Sequence, residues 1–120
     1  MTLLDASDRF TKDYFDNTAE DTELYSFYEC PRCHEKVGFE RKHFEKHYRS
    51  SFTNLSATDA TRIDTVVAAQ PFTSDSFLDF YCAGCHLAVR VYYSFWAGGK
   101  HGDCGFNIQK VVEGDGPQVV

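Results

Sequence analysis

The alternation of apolar and polar positions is clearest in the C-terminal third of the chain. Residues 87–96 alternate with a period of two, which is the pattern of a β-strand with two distinct faces. A glycine-rich segment, 97–105, separates them from residues 106–113, where apolar side chains again share one face. Strand, turn and strand in this order predict a long antiparallel β-hairpin.

Helical spacing is found in two places. Residues 5–17 carry apolar side chains four positions apart, and Asp5 or Ser7 stands where it can cap a helix. In residues 41–50, Phe44 and Tyr48 are four apart and charged side chains occupy the other faces. We therefore expect an N-terminal helix and a second helix near 41–50.

The remaining segments predict shorter elements. Residues 23–29, 37–39 and 77–81 are rich in strand-forming side chains and predict short strands. Residues 50–76 combine Ser, Thr and Asp with a few apolar positions, and they predict only a turn or a short helix followed by a loop. Residues 114–120 are expected to form a flexible tail.

An internal repeat links two distant parts of the chain. In both copies, aromatic residues lead into a Cys-x-x-Cys-His turn, and a valine follows four residues after the second cysteine. The two copies read Phe-Tyr-Glu-Cys-Pro-Arg-Cys-His-Glu-Lys-Val, residues 27–37, and Phe-Tyr-Cys-Ala-Gly-Cys-His-Leu-Ala-Val, residues 80–89. Each copy predicts a strand, a tight cysteine turn and a second strand.

The two turns bring four thiols into the pattern of a metal site. Because the first residues contain neither a basic nor an apolar signal-peptide region, we expect a cytoplasmic protein whose thiols stay reduced. No apolar run is long enough to span a bilayer, so we expect no membrane association. Two Cys-x-x-Cys pairs then predict one structural Zn²⁺ per chain, bound by Cys30, Cys33, Cys82 and Cys85.

The two cysteine turns with their adjoining strands resemble the zinc-ribbon class, and this resemblance covers about half of the chain. The resemblance implies a small zinc-ribbon-like antiparallel sheet, and together with the long C-terminal hairpin and the two helices predicted above it gives an α+β fold. The length of 120 residues accommodates one domain, which we place at 1–113. The 48 residues between Cys33 and Cys82 form a longer insert than typical ribbons carry.

Alternative metal sites use the same residues differently. Cys30 and Cys33 with His43 and His47 would form a finger-like site, although its spacing is shorter than usual. The Cys-x-x-Cys-His pattern also matches haem attachment, which would require export. Iron bound by the same four thiolates, as in rubredoxin, is a further alternative.

A downstream alternative combines the second cysteine pair with residues of the glycine-rich turn. Cys82 and Cys85 with His101 and Cys104 have suitable spacing, but a ten-residue strand of about 33 Å would separate the two pairs. His101 and Cys104 could also form a nucleophile pair. The turn is better explained by its four glycines, and we expect a protein without enzymatic activity.

Charge is distributed unevenly along a chain of net charge −6. Residues 1–31 contain eight acids and two bases, whereas 32–49 contain six bases and three acids. Acidity favours a basic protein partner, and in size and charge the chain resembles bacterial immunity proteins that neutralise nucleic-acid-targeting toxins. The predicted contact residues are Asp13, Asp16, Glu20, Asp21, Glu23, Trp96 and Asp103.

The basic stretch supports a second hypothesis. Many zinc ribbons contact nucleic acid, and a cluster of cations can follow a phosphate backbone. Here the candidates are Arg32, Lys36, Arg41, Lys42, Lys46 and Arg49. The acidic N-terminal residues and the shortage of bases along the hairpin favour a protein partner over nucleic acid.

Overall fold

The structure is a computed structural model that describes residues 1–11, 14–16, 26–97 and 104–114, and for 14–16 and 104 the backbone only. Within this part of the chain, helices and antiparallel strands both occur, which confirms the α+β class. The elements are β1 (Thr2–Asp5), β2 (Tyr14–Asp16), β3 (Ser26–Glu29), β4 (Lys36–Phe39), α1 (Arg41–Lys46), α2 (Ala57–Ala69), β5 (Ser76–Tyr81), β6 (Ala88–Ala97) and β7 (Cys104–Glu113).

Five of these strands form a central sheet. Its order is β1–β7–β6–β5, and β2 pairs with the other end of β7, on the same side as β1. The β6–β7 pairing confirms the predicted C-terminal hairpin, with one register shift between Tyr92 and Tyr93. Strands β3 and β4 form a separate two-stranded sheet, the small sheet, with Tyr28 opposite Val37. The strand predicted over 77–81 is present as β5.

The predicted N-terminal helix over 5–17 is wrong. Residues 2–5 form β1, Ala6–Asp8 form one turn of 3-10 helix, and β2 follows. Leu3 and Leu4 lie opposite Val112 and Val111 of β7. An isolated helix of this length is marginal in water, whereas the edge of β7 offers backbone hydrogen bonds to an extended chain.

The two helices also differ from their predicted lengths. Helix α1 ends before residue 50, because residues 47–49 form a turn in which Arg49 adopts a φ of 53°. Helix α2 has 13 residues and occupies most of the segment for which the sequence predicted only a turn or short helix. Its N-cap is Ser56, whose hydroxyl accepts from the amide of Asp59 at 3.1 Å.

The central sheet lies between two layers. On one face, Ile63 of α2 packs with Leu55, Ala88 and Val112. On the other face, the small sheet and α1 contribute aromatic side chains to the larger core, whose buried rings include Tyr28, Phe39, Phe44, Tyr93 and Phe106. The small sheet is therefore held over the central sheet on the side opposite α2. No helix of the described residues is long and apolar enough to cross a membrane.

Candidate metal centre

The first cysteine turn, residues 30–35, connects β3 to β4 and is called the first knuckle. The amide of Cys30 donates to the carbonyl of Glu35 at 2.9 Å, and the amide of His34 donates to the carbonyl of Cys30 at 3.0 Å. His34 closes the turn with a φ of 62°, in the left-handed region. Histidine adopts this conformation more readily than β-branched residues do.

The second cysteine turn, residues 82–87, connects β5 to β6 in the same way and is called the second knuckle. The amide of Cys82 donates to the carbonyl of Leu87, and the amide of His86 donates to the carbonyl of Cys82, both at 2.8 Å. His86 has a φ of 61°, almost identical to that of His34. The sequence repeat is therefore also a repeat of backbone conformation.

The two knuckles bring all four sulfur atoms together. Cys30 Sγ lies 3.6 Å from Cys85 Sγ, and Cys33 Sγ lies 3.4 Å from Cys82 Sγ. All four sulfurs lie within 4.8 Å of one another. A tetrahedral site with Zn–S bonds of about 2.3 Å places its sulfurs about 3.8 Å apart. The cluster thus has the dimensions that a tetrathiolate metal site requires.

Hydrogen bonds from the backbone act on these sulfurs. Burial opposes ionisation of Cys82, but the amides of Cys85 and Gly84 donate to its sulfur and lower the pKa of the thiol to about 7. Burial and, to a smaller extent, the neighbouring thiols raise the pKa of Cys85 to about 12 despite donation from the amide of Leu87. Four adjacent thiols therefore resist simultaneous ionisation, and a bound cation would remove that resistance.

The close approach of the knuckles requires a glycine at one position. A Cβ atom on Gly84 would lie 2.8 Å from Cys33 Sγ, closer than real Cβ contacts allow. Cys33 is exposed and Cys30 and Cys82 are buried, so one side of the cluster faces solvent and the other faces the core. Gly84 therefore permits the second knuckle to approach the exposed sulfur of the first.

A buried polar network holds the strand that leads into the first knuckle. Tyr28, two residues before Cys30, is fully buried, and its hydroxyl donates to the carboxylate of Glu113. Arg9 donates to both oxygens of the same carboxylate, at 2.8 and 3.1 Å. Phe80 takes the equivalent position before the second knuckle, and its ring contacts that of Tyr28 with centroids 5.4 Å apart.

The described residues assemble the four-cysteine cluster and not the finger-like site of Cys30, Cys33, His43 and His47. The sulfurs of both Cys-x-x-Cys pairs form one cluster without His43 and His47, and His43 Nδ1 instead accepts from the amide of Glu40 at the start of α1. The downstream site is separated from the second knuckle by the length of β6, because Cys104 pairs with Ala97 at the far end of that strand. His101 lies outside the described residues.

Few of the predicted partner-binding residues fall in the described part of the chain. Trp96 lies near the end of β6 and is half-buried. Asp16 belongs to β2, of which the backbone alone is described. The other predicted contact residues lie outside the described residues: Asp13, Glu20, Asp21, Glu23 and Asp103.

The sequence reasoning missed the residues that shape the site around the cysteines. The left-handed histidines, His34 and His86, carry a sequence signal, because a histidine follows the second cysteine in both repeats. The hydrogen bond from Tyr28 to Glu113 joins residues that are 85 positions apart, so no local sequence pattern indicates it.

Comparisons with protein family models, with curated proteins and with solved structures find no match for this chain. The four-cysteine cluster is consistent with the zinc-ribbon resemblance, whereas no family match supports the resemblance to immunity proteins. The functional interpretation therefore depends on the geometry of the chain itself.

Proposed function

We propose that the chain is a zinc-binding module in which one Zn²⁺, bound by Cys30, Cys33, Cys82 and Cys85, joins the small sheet to the central sheet. The observation that carries this proposal is the convergence of four sulfurs, two from each knuckle, within 4.8 Å. Thiolate sulfur suits Zn²⁺ and iron alike, and zinc is the commoner structural metal in such a shell.

The proposed role of the metal is structural. Four protein ligands complete a tetrahedron and leave no position for a substrate or a reactive water molecule. Structural zinc contributes about 10–16 kcal/mol of apparent binding free energy in small domains, which is comparable to or above the stability of a domain of this size. We therefore propose a non-enzymatic protein that binds its target with a metal-stabilised surface.

For the partner we propose a basic protein, with inhibition of a nucleic-acid-targeting toxin in the cytoplasm as the specific form. The net charge of −6 and the eight acids of residues 1–31 support this proposal, because such a field attracts cationic surfaces and accelerates association. Tight binding would also need an apolar contact that excludes water, for which Trp96 is the candidate.

The test is a binding measurement with the partner captured from the native cell extract. Reversing Asp13, Asp16 and Glu20 to lysine should slow association, most strongly at low salt, whereas Trp96→Ala should accelerate dissociation. Reversing the exposed Glu35 and Glu45 together with Asp115 serves as the charge-matched control. Equal slowing by both triple variants would show that net charge, and not the N-terminal acids, determines association.

The second candidate function is nucleic-acid binding through the basic stretch. Its six cations belong to the small sheet, the first knuckle, α1 and the following turn. Two of them are already paired, Arg41 with Glu45 at 2.8 Å and Lys42 with Glu40 at 2.9 Å. Strong, salt-sensitive retention on DNA that is lost after neutralising Arg32, Lys36, Lys46 and Arg49 would favour this candidate over a protein partner.

A further inference from the structure

A cleft of about 280 Å³ lies between the small sheet and the central sheet. One side is formed by β4 from Val37 to Phe39, and the other by β5 from Leu78 to Tyr81. Helix α1 borders it with His43, the turn after α1 with His47, and the second knuckle with Ala83. The cleft therefore runs along two strands that belong to different sheets.

Within the described residues, both of these strands have an uncovered edge at the cleft. Strand β5 pairs only with β6, and β4 pairs only with β3. The opposite edges are covered: β7 is paired by β1 and β2, and the backbone of β3 bonds to residues 9 and 11. The edges of β4 and β5 thus present unpaired backbone groups to the same space, which is the arrangement that accepts an added strand.

The sequence of β5 contains few of the residues that usually block such an edge. It has no proline and no lysine, and its one charged residue is Asp79. The carboxylate of Asp79 is bonded on both oxygens by Arg90, at 2.7 and 3.0 Å, and is buried. In β4, Gly38 leaves one position without a side chain, which allows another backbone to approach closely.

Helix α1 brings positive charge to the cleft. Its cations Arg41 and Lys42 are paired with Glu45 and Glu40, and Lys46 directly precedes His47, which lines the cleft. Burial, and after it the charge of Lys46, lowers the pKa of His47. The amide of Arg49 donates to Ser76 Oγ at 2.9 Å and fixes the turn after α1 at the beginning of β5.

We propose that this cleft binds an extended segment of a partner protein, which pairs with the edge of β5 and places acidic side chains beside α1. Backbone hydrogen bonds would supply affinity, and the alternate acidic side chains would supply selectivity. A segment of six residues matches the length of β5, about 20 Å. This surface is separate from the N-terminal acids, so the inference does not depend on the proposed toxin partner.

The test uses the zinc-loaded full chain and two labelled hexapeptides, one alternating valine with glutamate and one alternating valine with lysine. Fluorescence anisotropy should show saturable binding of the glutamate peptide and weaker binding of the lysine peptide. The net charge of −6 alone predicts the opposite preference. Methylation of alternate amide nitrogens should abolish binding of the glutamate peptide, because a methylated amide cannot donate to a strand edge.

Two charge-matched variants locate the site. Lys46→Glu on α1 should weaken binding of the glutamate peptide by about fivefold, whereas Arg62→Glu, on α2 at the opposite face of the central sheet, should leave it unchanged. Equal effects of the two variants, or no binding of the glutamate peptide, would overturn the proposal. A dimer of the chain that excludes the peptide at higher protein concentration would assign the edge to a second copy and would also overturn it.

Discussion

The two knuckles share one backbone conformation but differ in what surrounds them. The first connects the two strands of the small sheet, whereas the second connects β5 and β6 inside a five-stranded sheet. A two-stranded hairpin is marginally stable in water, and a sheet of several strands with buried faces is not. The comparison indicates that the metal contributes most to the half of the site that has the weaker sheet.

Equivalent positions in the knuckles show how the two halves divide their roles. Gly84 occupies the position that Arg32 occupies in the first knuckle, and a Cβ added to this glycine would lie 2.8 Å from Cys33 Sγ. Tyr28 and Phe80 are equivalent as well, but only Tyr28 carries a hydroxyl, and this hydroxyl donates a hydrogen bond to the carboxylate of Glu113. The second knuckle supplies the close contact, and the first depends on a polar anchor.

The largest expected effect follows from removing one thiolate from either half. Cys30→Ser and Cys82→Ser should both abolish cooperative unfolding, because each takes one ligand from a shared shell worth about 10–16 kcal/mol. Urea denaturation followed by tryptophan fluorescence, with equimolar zinc present, measures this. A Cys30→Ser protein that remained folded and zinc-bound would show that the small sheet does not contribute to the site.

Hydrogen exchange after zinc removal by a chelator sharpens the same comparison. The amides of β3 and β4 should lose protection first, because two strands without the metal have few other backbone partners. The amides of β6 and β7 should remain protected longer, since ten residues of each pair in the central sheet. Simultaneous loss of protection in both sheets would contradict the difference between the two halves.

Gly84→Ala should have the next largest effect. The added methyl group would meet Cys33 Sγ, whose position the metal fixes, so the free energy of zinc binding should weaken by about 1–3 kcal/mol. Competition with a chromophoric chelator measures the affinity. Gly114→Ala is the matched control, because its Cβ would meet atoms of Ala88 at 3.5 Å, an ordinary contact. Unchanged zinc affinity in Gly84→Ala would refute the close approach.

Tyr28→Phe makes the first half resemble the second and should cost about 1–3 kcal/mol of unfolding free energy. Burial and the hydrogen bond to Glu113 raise the pKa of Tyr28 above 10, so its stabilising contribution is complete below pH 10 and declines as the pH rises further. The wild type should therefore lose stability above pH 10 more steeply than Tyr28→Phe. Urea titrations at several pH values measure this. If the unfolding free energies of the two proteins fell equally with pH above 10, the hydrogen bond from Tyr28 to Glu113 would not stabilise the fold.

The smallest effect is expected at the left-handed histidine of the first knuckle. His34→Gly should change the unfolding free energy by less than about 1 kcal/mol and leave zinc affinity unaltered, because glycine adopts this φ without cost. His34→Val should be less stable than His34→Gly by about 1–2 kcal/mol. Thermal unfolding compares the two, and loss of zinc from His34→Gly would identify the imidazole as a ligand.

The sequence predicts the parts of this fold that depend on local pattern. The β6–β7 hairpin follows from strict alternation, and the metal cluster follows from the internal repeat around Cys30 and Cys82. For helix α2 the sequence predicts no more than a turn or a short helix, because tertiary contacts hold its full length: Ile63 is fully buried, and Asp64 accepts from Arg90 at 2.9 Å. The same reason explains β1, whose partner β7 lies more than 100 residues away along the chain.

The measurement that tests the central claim most directly is metal stoichiometry by native mass spectrometry on the full chain. We predict one zinc per chain in the wild type and in Cys104→Ser, and none in Cys30→Ser or Cys85→Ser. The four thiols of the cluster should also be unreactive to alkylation until the zinc is removed. Two zinc ions, no metal, or loss of zinc in Cys104→Ser but not in Cys30→Ser would contradict the four-cysteine site.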